Sequence, residues 1–267
     1  MSSFCCPPDS LPALVVDYKA EGSIKTYENV EFYAVGESVN KKACIIVPDV
    51  WGYNGGRIRA IADLISKTGH YVVIPKILTP CLEEGTDNDG LPNNFDMSTR
   101  GGDFFSWIKT FSWESSFKPK FISLFNHLKN ENCNLNQGTA MIGFCFGGWA
   151  CAKVATTKEF PLIDRIVIPH PSIQLEEKAY NGNTIELCEK VKARVLLLPA
   201  GNDDEAYLEG GGFLNALKKG NPWSCVDAAP YKAMAHGFCT RGDIKDEATK
   251  IAVKTCLDTM TKALLSP

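Results

Sequence analysis

From residue 42 onward, short runs of aliphatic residues alternate with stretches in which apolar side chains recur every three or four positions. The first kind suits a strand buried on both faces, the second a helix lying on a sheet. Strands are expected at 42–47, 71–74, 139–142, 165–168 and 194–198, with 231–234 as the last. Helical stripes run through Ile58, Ile61, Ala62 and Ile65, through Phe121, Leu124, Phe125 and Leu128, and across 149–155 and 213–217. A closing helix carries Val253, Cys256, Leu257, Met260 and Leu264 on one face. Strand and helix in turn is the pattern of βαβ units, so the fold class is α/β, a mostly parallel central sheet with helices on both faces. The length of 267 residues fits one large core, and 1–267 is read as a single domain. One stretch breaks the pattern: 76–118 is rich in Pro, Gly, Asn and Asp, interleaved with Phe and Trp. Aromatic residues are rare in linkers, so a long functional loop or lid is expected there.

A net charge of −3 gives no basic footprint for nucleic acid, and a small, weakly charged molecule is the expected partner. No apolar run approaches about 18 residues, and no cationic segment precedes the first apolar ones, so neither membrane association nor secretion is expected. Eleven cysteines are an odd number, and Cys44, Cys151 and Cys256 fall inside apolar periodic segments, where thiols behave as small hydrophobes. A reducing cytoplasm is the simplest home, with the chain as monomer or homodimer. No paired C-x-x-C spacing occurs, so no metal and no cofactor are expected.

The hexapeptide Gly143-Phe144-Cys145-Phe146-Gly147-Gly148 stands where the strand 139–142 gives way to a helix. A nucleophile on such a strained turn needs small residues two places before and after it, and Gly143 and Gly147 meet that demand. The helix start behind Cys145 favours a thiolate and an oxyanion, with the Phe146 N–H as one oxyanion donor. Gly201-Asn202-Asp203-Asp204 follows the strand 194–198, and His236 follows 231–234. Nucleophile, acid, histidine is the chain order of α/β-hydrolases, with both partners on loops at carboxyl ends of strands. Either aspartate could orient an imidazole; Asp204 is taken as the acid of a Cys145, Asp204, His236 triad. Val50, at the end of the early strand, is the candidate second oxyanion donor. Asp49 is either a turn carboxylate or a group that influences the thiol. Arg241 could clamp a substrate carboxylate through its planar fork. His70 and His127 are expected on solvated surfaces, and His170 as a wall or loop-fixing residue.

Together, PDVWGYN at 48–54, GFCFGG at 143–148, HPS at 170–172 and MAHGFCTRGD at 234–243 resemble the dienelactone hydrolase family of the α/β-hydrolase superfamily, specifically its eukaryotic carboxymethylenebutenolidase-like members. The similarity spans essentially the whole chain, including CCPPDS at 5–10. It implies hydrolysis of activated esters or lactones through an acyl-cysteine intermediate. It further implies that the carboxylate at Asp49 helps control ionisation of the thiol, although bacterial members often carry glutamate there. Trp51 and Arg241 become the substrate-binding candidates, the arginine offset by one residue from its bacterial counterpart.

Thiolate is a better leaving group than alkoxide from a tetrahedral intermediate, so attack on an unactivated amide tends to collapse backwards; esterase or lactonase activity is therefore expected and little peptidase activity. Two other readings remain. An amidotransferase-like thiol enzyme commonly has glutamate two residues after the histidine, where this chain has Phe238. A redox-sensing or ligand-binding protein without turnover would use Cys145 but needs neither aspartate nor His236.

Overall fold

The structure is a computed structural model that describes residues 6–7, 9–221 and 226–266. Cys5 and Pro8, within the CCPPDS stretch at 5–10, lie outside the described residues. In chain order the elements are β1 (Ser23–Tyr27), β2 (Val30–Val35), β3 (Ala43–Val47), α1 (Ile58–Ser66), β4 (Tyr71–Pro75), α2 (Met97–Ile108) and α3 (Lys118–Asn130). Then come β5 (Thr139–Gly143), α4 (Phe146–Thr156), β6 (Ile163–Pro169), α5 (Leu175–Lys178), α6 (Thr184–Lys190) and β7 (Arg194–Leu198). The chain closes with α7 (Gly212–Gly220), β8 (Val226–Ala228), α8 (Phe238–Arg241) and α9 (Glu247–Leu265).

The strands form one eight-stranded sheet in the order β1-β2-β4-β3-β5-β6-β7-β8. The hairpin β1–β2 joins β4 antiparallel, and every pairing from β4 to β8 is parallel. Parallel strands need cover on both faces, and the apolar runs divide accordingly. Ile45 and Val47 of β3, Met141 of β5 and Ile166 and Ile168 of β6 face one core with α3, α4 and α6. Cys44, Ile46, Ala140, Ile142 and Val167 face the other, against Ile58, Ile61 and Ile65 of α1 and Val253, Cys256, Met260 and Leu264 of α9. Alternate residues of each strand thus serve opposite layers, so a hydrophobic run with no polar face is what the sheet demands. No helix among the described residues is long and apolar enough to cross a membrane.

Three expectations are corrected. The segment 231–234 is a turn, closed by the Met234 N–H donating to the Tyr231 carbonyl at 2.9 Å and tied to β7's end by one bridge, Ala200 with Tyr231. The last strand is β8, and Pro230, which has no N–H to donate, marks the break after it. The segment 76–118 holds the twelve-residue α2, capped by Asp96 accepting from the Ser98 N–H. Its Phe104, Trp107, Phe111, Trp113 and Phe117 are buried in the main core, with Phe111 stacked on Phe117 at 5.4 Å. Buried Asp89 accepts N–H bonds from Leu78 at 2.7 Å and Tyr53 at 2.8 Å, which pins this segment to the loop after β3. His70 and His127 are buried, at 5% exposure each, not solvated. His70 bonds Thr68 Oγ1 at 2.7 Å, and His127 bonds the Tyr71 hydroxyl at 3.1 Å with its ring 4.5 Å from that of Phe32.

Candidate active site

Three strand ends bring the chemistry together. Cys145 follows β5 with φ 54°, ψ −116°, a strained conformation for a residue with a side chain, and α4 starts directly behind it. The turn is possible only because its neighbours are glycine. A Cβ on Gly143 would lie 2.4 Å from the Gly147 carbonyl oxygen, and one on Gly147 would lie 2.3 Å from the Val47 oxygen. That second close approach presses the first turn of α4 against the end of β3, where the loop carrying Val50 begins. Further bonds fix Cys145: its N–H donates to the Pro169 carbonyl at 3.3 Å, and its carbonyl accepts from Ser172 N–H at 3.2 Å. The Ser172 hydroxyl stands 3.5 Å from its Sγ.

His236 and Asp203 meet from the loops after β8 and β7. His236 Nδ1 is 2.6 Å from Asp203 Oδ1, and both side chains are buried. The second Asp203 oxygen accepts the Ala200 N–H at 2.6 Å, and the Asn202 Oδ1 accepts the His236 N–H at the same distance. Burial works against an imidazolium here, but the charges of Asp203 and then Cys145 outweigh it and push the His236 pKa up to about 10. The other ring nitrogen, Nε2, is buried. Asp204, taken from sequence as the partner of this histidine, instead caps the short turn 205–207 by accepting the Ala206 N–H at 3.0 Å. After the Gly201 turn, Asp203 points inward and Asp204 to the turn, a difference of one residue that composition alone does not encode.

His170 lies at 4.9 Å from the His236 ring, edge on, wholly buried and with neither nitrogen bonded among the described residues. Burial, and then the nearness of His236 and Arg241, hold it well below the ordinary pKa, so it packs as a neutral ring. Asp49, Trp51 and Arg241 form a separate cluster beside the site. The Arg241 guanidinium pairs with Asp49 and sits 4.2 Å over the Trp51 ring, while its Nε donates to the Leu11 carbonyl at 3.1 Å. Asp49 also accepts from the Trp51 N–H at 3.0 Å and the Thr240 hydroxyl at 2.9 Å. This corrects the expectation that Arg241 stands open as a clamp: its charge is already answered by Asp49, and it is 3% exposed.

Sequence reasoning missed Cys6. Its Sγ is 3.5 Å from that of Cys145 although the residues are 139 apart in the chain. Donor atoms of Cys6, Cys145 and His236 all lie within 4.8 Å of one another, so the lack of C-x-x-C spacing was no guide to metal-binding capacity. The segment after Cys6 is laid over the site by the Leu11 N–H, which donates to the His236 carbonyl at 2.9 Å. Asn202 was overlooked as well; its place in the Gly-Asn-Asp-Asp turn was the available signal.

Residues 31–264 match the description "Dienelactone hydrolase family". The chain belongs to the dienelactone hydrolase family. As a member it is an enzyme, a hydrolase of esters or lactones with an α/β-hydrolase fold. It is similar to the carboxymethylenebutenolidase homolog of Rattus norvegicus, 26% identical over 237 residues, which are 88% of this chain and 86% of that protein. The Mus musculus homolog is 25% identical over the same share. A Klebsiella pneumoniae crystal structure assigned as a dienelactone hydrolase shares the fold, with a TM-score of 0.65 at 14% identity over 94% of this chain and 100% of that one.

Proposed function

We propose that this hydrolase cleaves activated carboxylic esters or lactones of the dienelactone type through an acyl-cysteine, with Cys145 as nucleophile, His236 as acid and base, and Asp203 as the orienting carboxylate. The 2.6 Å contact between Asp203 and His236 Nδ1, on the loop beside the strained Cys145 elbow, carries this reading. With Nδ1–H held by Asp203, Nε2 is the nitrogen left to exchange a proton with the thiol. The thiolate attacks the carbonyl carbon, and the oxyanion that forms is met by the N–H groups of Phe146 and Val50. As the carbon–oxygen bond breaks, the electron pair leaves with the alkoxide and His236 delivers its proton. Water then gives a proton to His236 and attacks the acyl carbon, and the carbon–sulfur bond breaks to restore the thiolate.

Trp51 and Arg241 form one wall of the substrate space, with Asp49 holding the guanidinium rather than tuning the thiol. A soluble cytoplasmic chain acting on a small molecule, built as one domain and working as monomer or homodimer, fits this chemistry. The deciding experiment is hydrolysis of aryl esters and a dienelactone by wild type and Cys145→Ala. Turnover by the first alone supports the reading; equal rates in both remove Cys145 from the chemistry.

A further inference from the structure

Beyond turnover, the three donor atoms at the site have a second use, and the argument for it rests in part on Cys145 and His236 having the roles proposed above. We propose that Cys6 Sγ, Cys145 Sγ and His236 Nε2 form a binding site for a soft divalent cation of the zinc type, which locks the N-terminal segment over the nucleophile and holds the hydrolase inactive.

The geometry fits with little movement. A tetrahedral zinc with bonds of about 2.3 Å to sulfur separates two thiolates by roughly 3.8 Å, and the two Sγ atoms already stand 3.5 Å apart. All three ligand atoms lie within 4.8 Å of one another, so one ion can reach them together. Two thiolates and an imidazole are a donor set that favours such an ion over calcium or magnesium. The histidine is prepared in the way metal-binding histidines usually are. Asp203 takes the Nδ1–H at 2.6 Å, which fixes the ring and leaves Nε2 as the nitrogen that can coordinate once its proton is lost. That nitrogen is buried. Three protein ligands leave a fourth position for water. On binding, Cys6 and the Cys145–His236 pair each release one proton to solvent, which leaves both sulfurs and Nε2 free to coordinate, and no electrons are exchanged.

The consequence for activity follows from which atoms are used. Cys145 Sγ and His236 Nε2 are the nucleophile and the proton carrier, and neither can serve while coordinated. Cys6 adds a ligand from a segment already held by the Leu11 N–H on the His236 carbonyl, so the ion is enclosed by the strap that covers the site.

The test is titration of the reduced, chelator-stripped full-length protein with Co²⁺, a coloured stand-in for zinc, followed by competition with Zn²⁺. The expected result is a near-ultraviolet thiolate-to-cobalt charge-transfer band and visible bands of a tetrahedral ion, displaced by Zn²⁺. In Cys6→Ser the charge-transfer intensity falls and Zn²⁺ binds at least about 10- to 100-fold more weakly, the loss seen even for outer partners of metal ligands. Cys81→Ser, which alters a half-exposed thiol elsewhere, keeps both signals. Thermal unfolding guards against a folding defect: Zn²⁺ raises the Tm of wild type and much less that of Cys6→Ser. Absence of the charge-transfer band, or equal Zn²⁺ affinity in Cys6→Ser, overturns the site. Esterase assays in the same samples separate the two readings. A cobalt spectrum that depends on Cys6 in a protein without turnover keeps the metal site and sinks the hydrolytic role of Cys145; turnover that Zn²⁺ leaves untouched sinks the site and keeps the hydrolase.

Discussion

At the scale of single residues, the adjacent carboxylates Asp203 and Asp204 separate cleanly by what each touches. Asp203→Asn leaves the geometry in place but offers His236 an amide that can support the wrong tautomer, and kcat is expected to fall on the order of 10⁴-fold. Asp204→Asn keeps a competent cap for the 205–207 turn, so kcat/KM stays at the wild-type level. Steady-state kinetics on an aryl ester read both, and a reversal of the two effects returns the acid role to Asp204. His70 gives a stability prediction at the same scale. Burial first, then the positive charges of Lys42 and Arg165, lower its pKa from 6.5 to about 4. A value depressed in the folded state means that the unfolded chain takes up the proton first as pH falls. Its contribution is therefore intact above about pH 6.5 and is lost progressively toward pH 4. In urea titrations, the stability advantage of wild type over His70→Gln should shrink across that window; an advantage that stays constant counts against the assignment. Cys145, His236 and the glycines around the elbow were legible in the sequence because backbone geometry demands those residue types at fixed spacing. Asp203, Cys6 and the burial of both outlying histidines were not, since each depends on partners distant in the chain.

At the scale of elements, α4 shows how a local preference is overruled. Glycine within a helix is normally about 1 kcal/mol worse than alanine, so Gly147→Ala would stabilise an ordinary helix. Here the added Cβ lies 2.3 Å from the backbone oxygen of Val47, which no side-chain rotation relieves. The expected sign is reversed, with a loss of about 1–3 kcal/mol from overpacking and reduced activity as the elbow moves away from β3. A higher urea midpoint for this variant would refute the close packing. The aromatic segment around α2 is the other instructive element. Its prolines, glycines and asparagines read as loop, yet Phe117 is fully buried, 5.4 Å from the Phe146 ring and 5.5 Å from that of Trp149. Phe117→Ala should cost about 3–5 kcal/mol, seen as a lower Tm, whereas a variant of near wild-type stability would point to a loosely held lid. Strands buried on both faces, with helices between them, were readable because their apolar periodicity is strict. The hairpin β1–β2 was not, since its outer strand is half exposed and carries Lys25 within its run.

At the scale of the whole molecule, the sheet order decides which loops meet, and the segment holding Cys6 and Leu11 packs against them. Cys145 and His236 are each 0% exposed, so substrate entry requires a covering segment to move, and the segment holding Cys6 and Leu11, which touches both residues, is the one expected to do so. Among the described residues, the segment is held by the buried Cys6 side chain against Cys145, the Leu11 N–H on the His236 carbonyl, the Leu11 carbonyl on Arg241 Nε, and the Leu11 side chain against the core beside α1 and α9. Such a segment opens locally at a fraction of the global unfolding cost. Leu11→Ala keeps both backbone bonds and removes part of a half-buried side chain, which weakens closure by about 1 kcal/mol, a factor of about five in the open population. Alkylation of Cys145 by iodoacetamide proceeds only from the open form, so its rate should rise about fivefold in Leu11→Ala while the urea midpoint scarcely moves. Site-specific mass spectrometry of the Cys145 peptide makes the measurement. An unchanged rate would mean that Cys145 is reached by another route, and a rate that tracks the urea midpoint across variants would mean that the cover opens only when the whole molecule does.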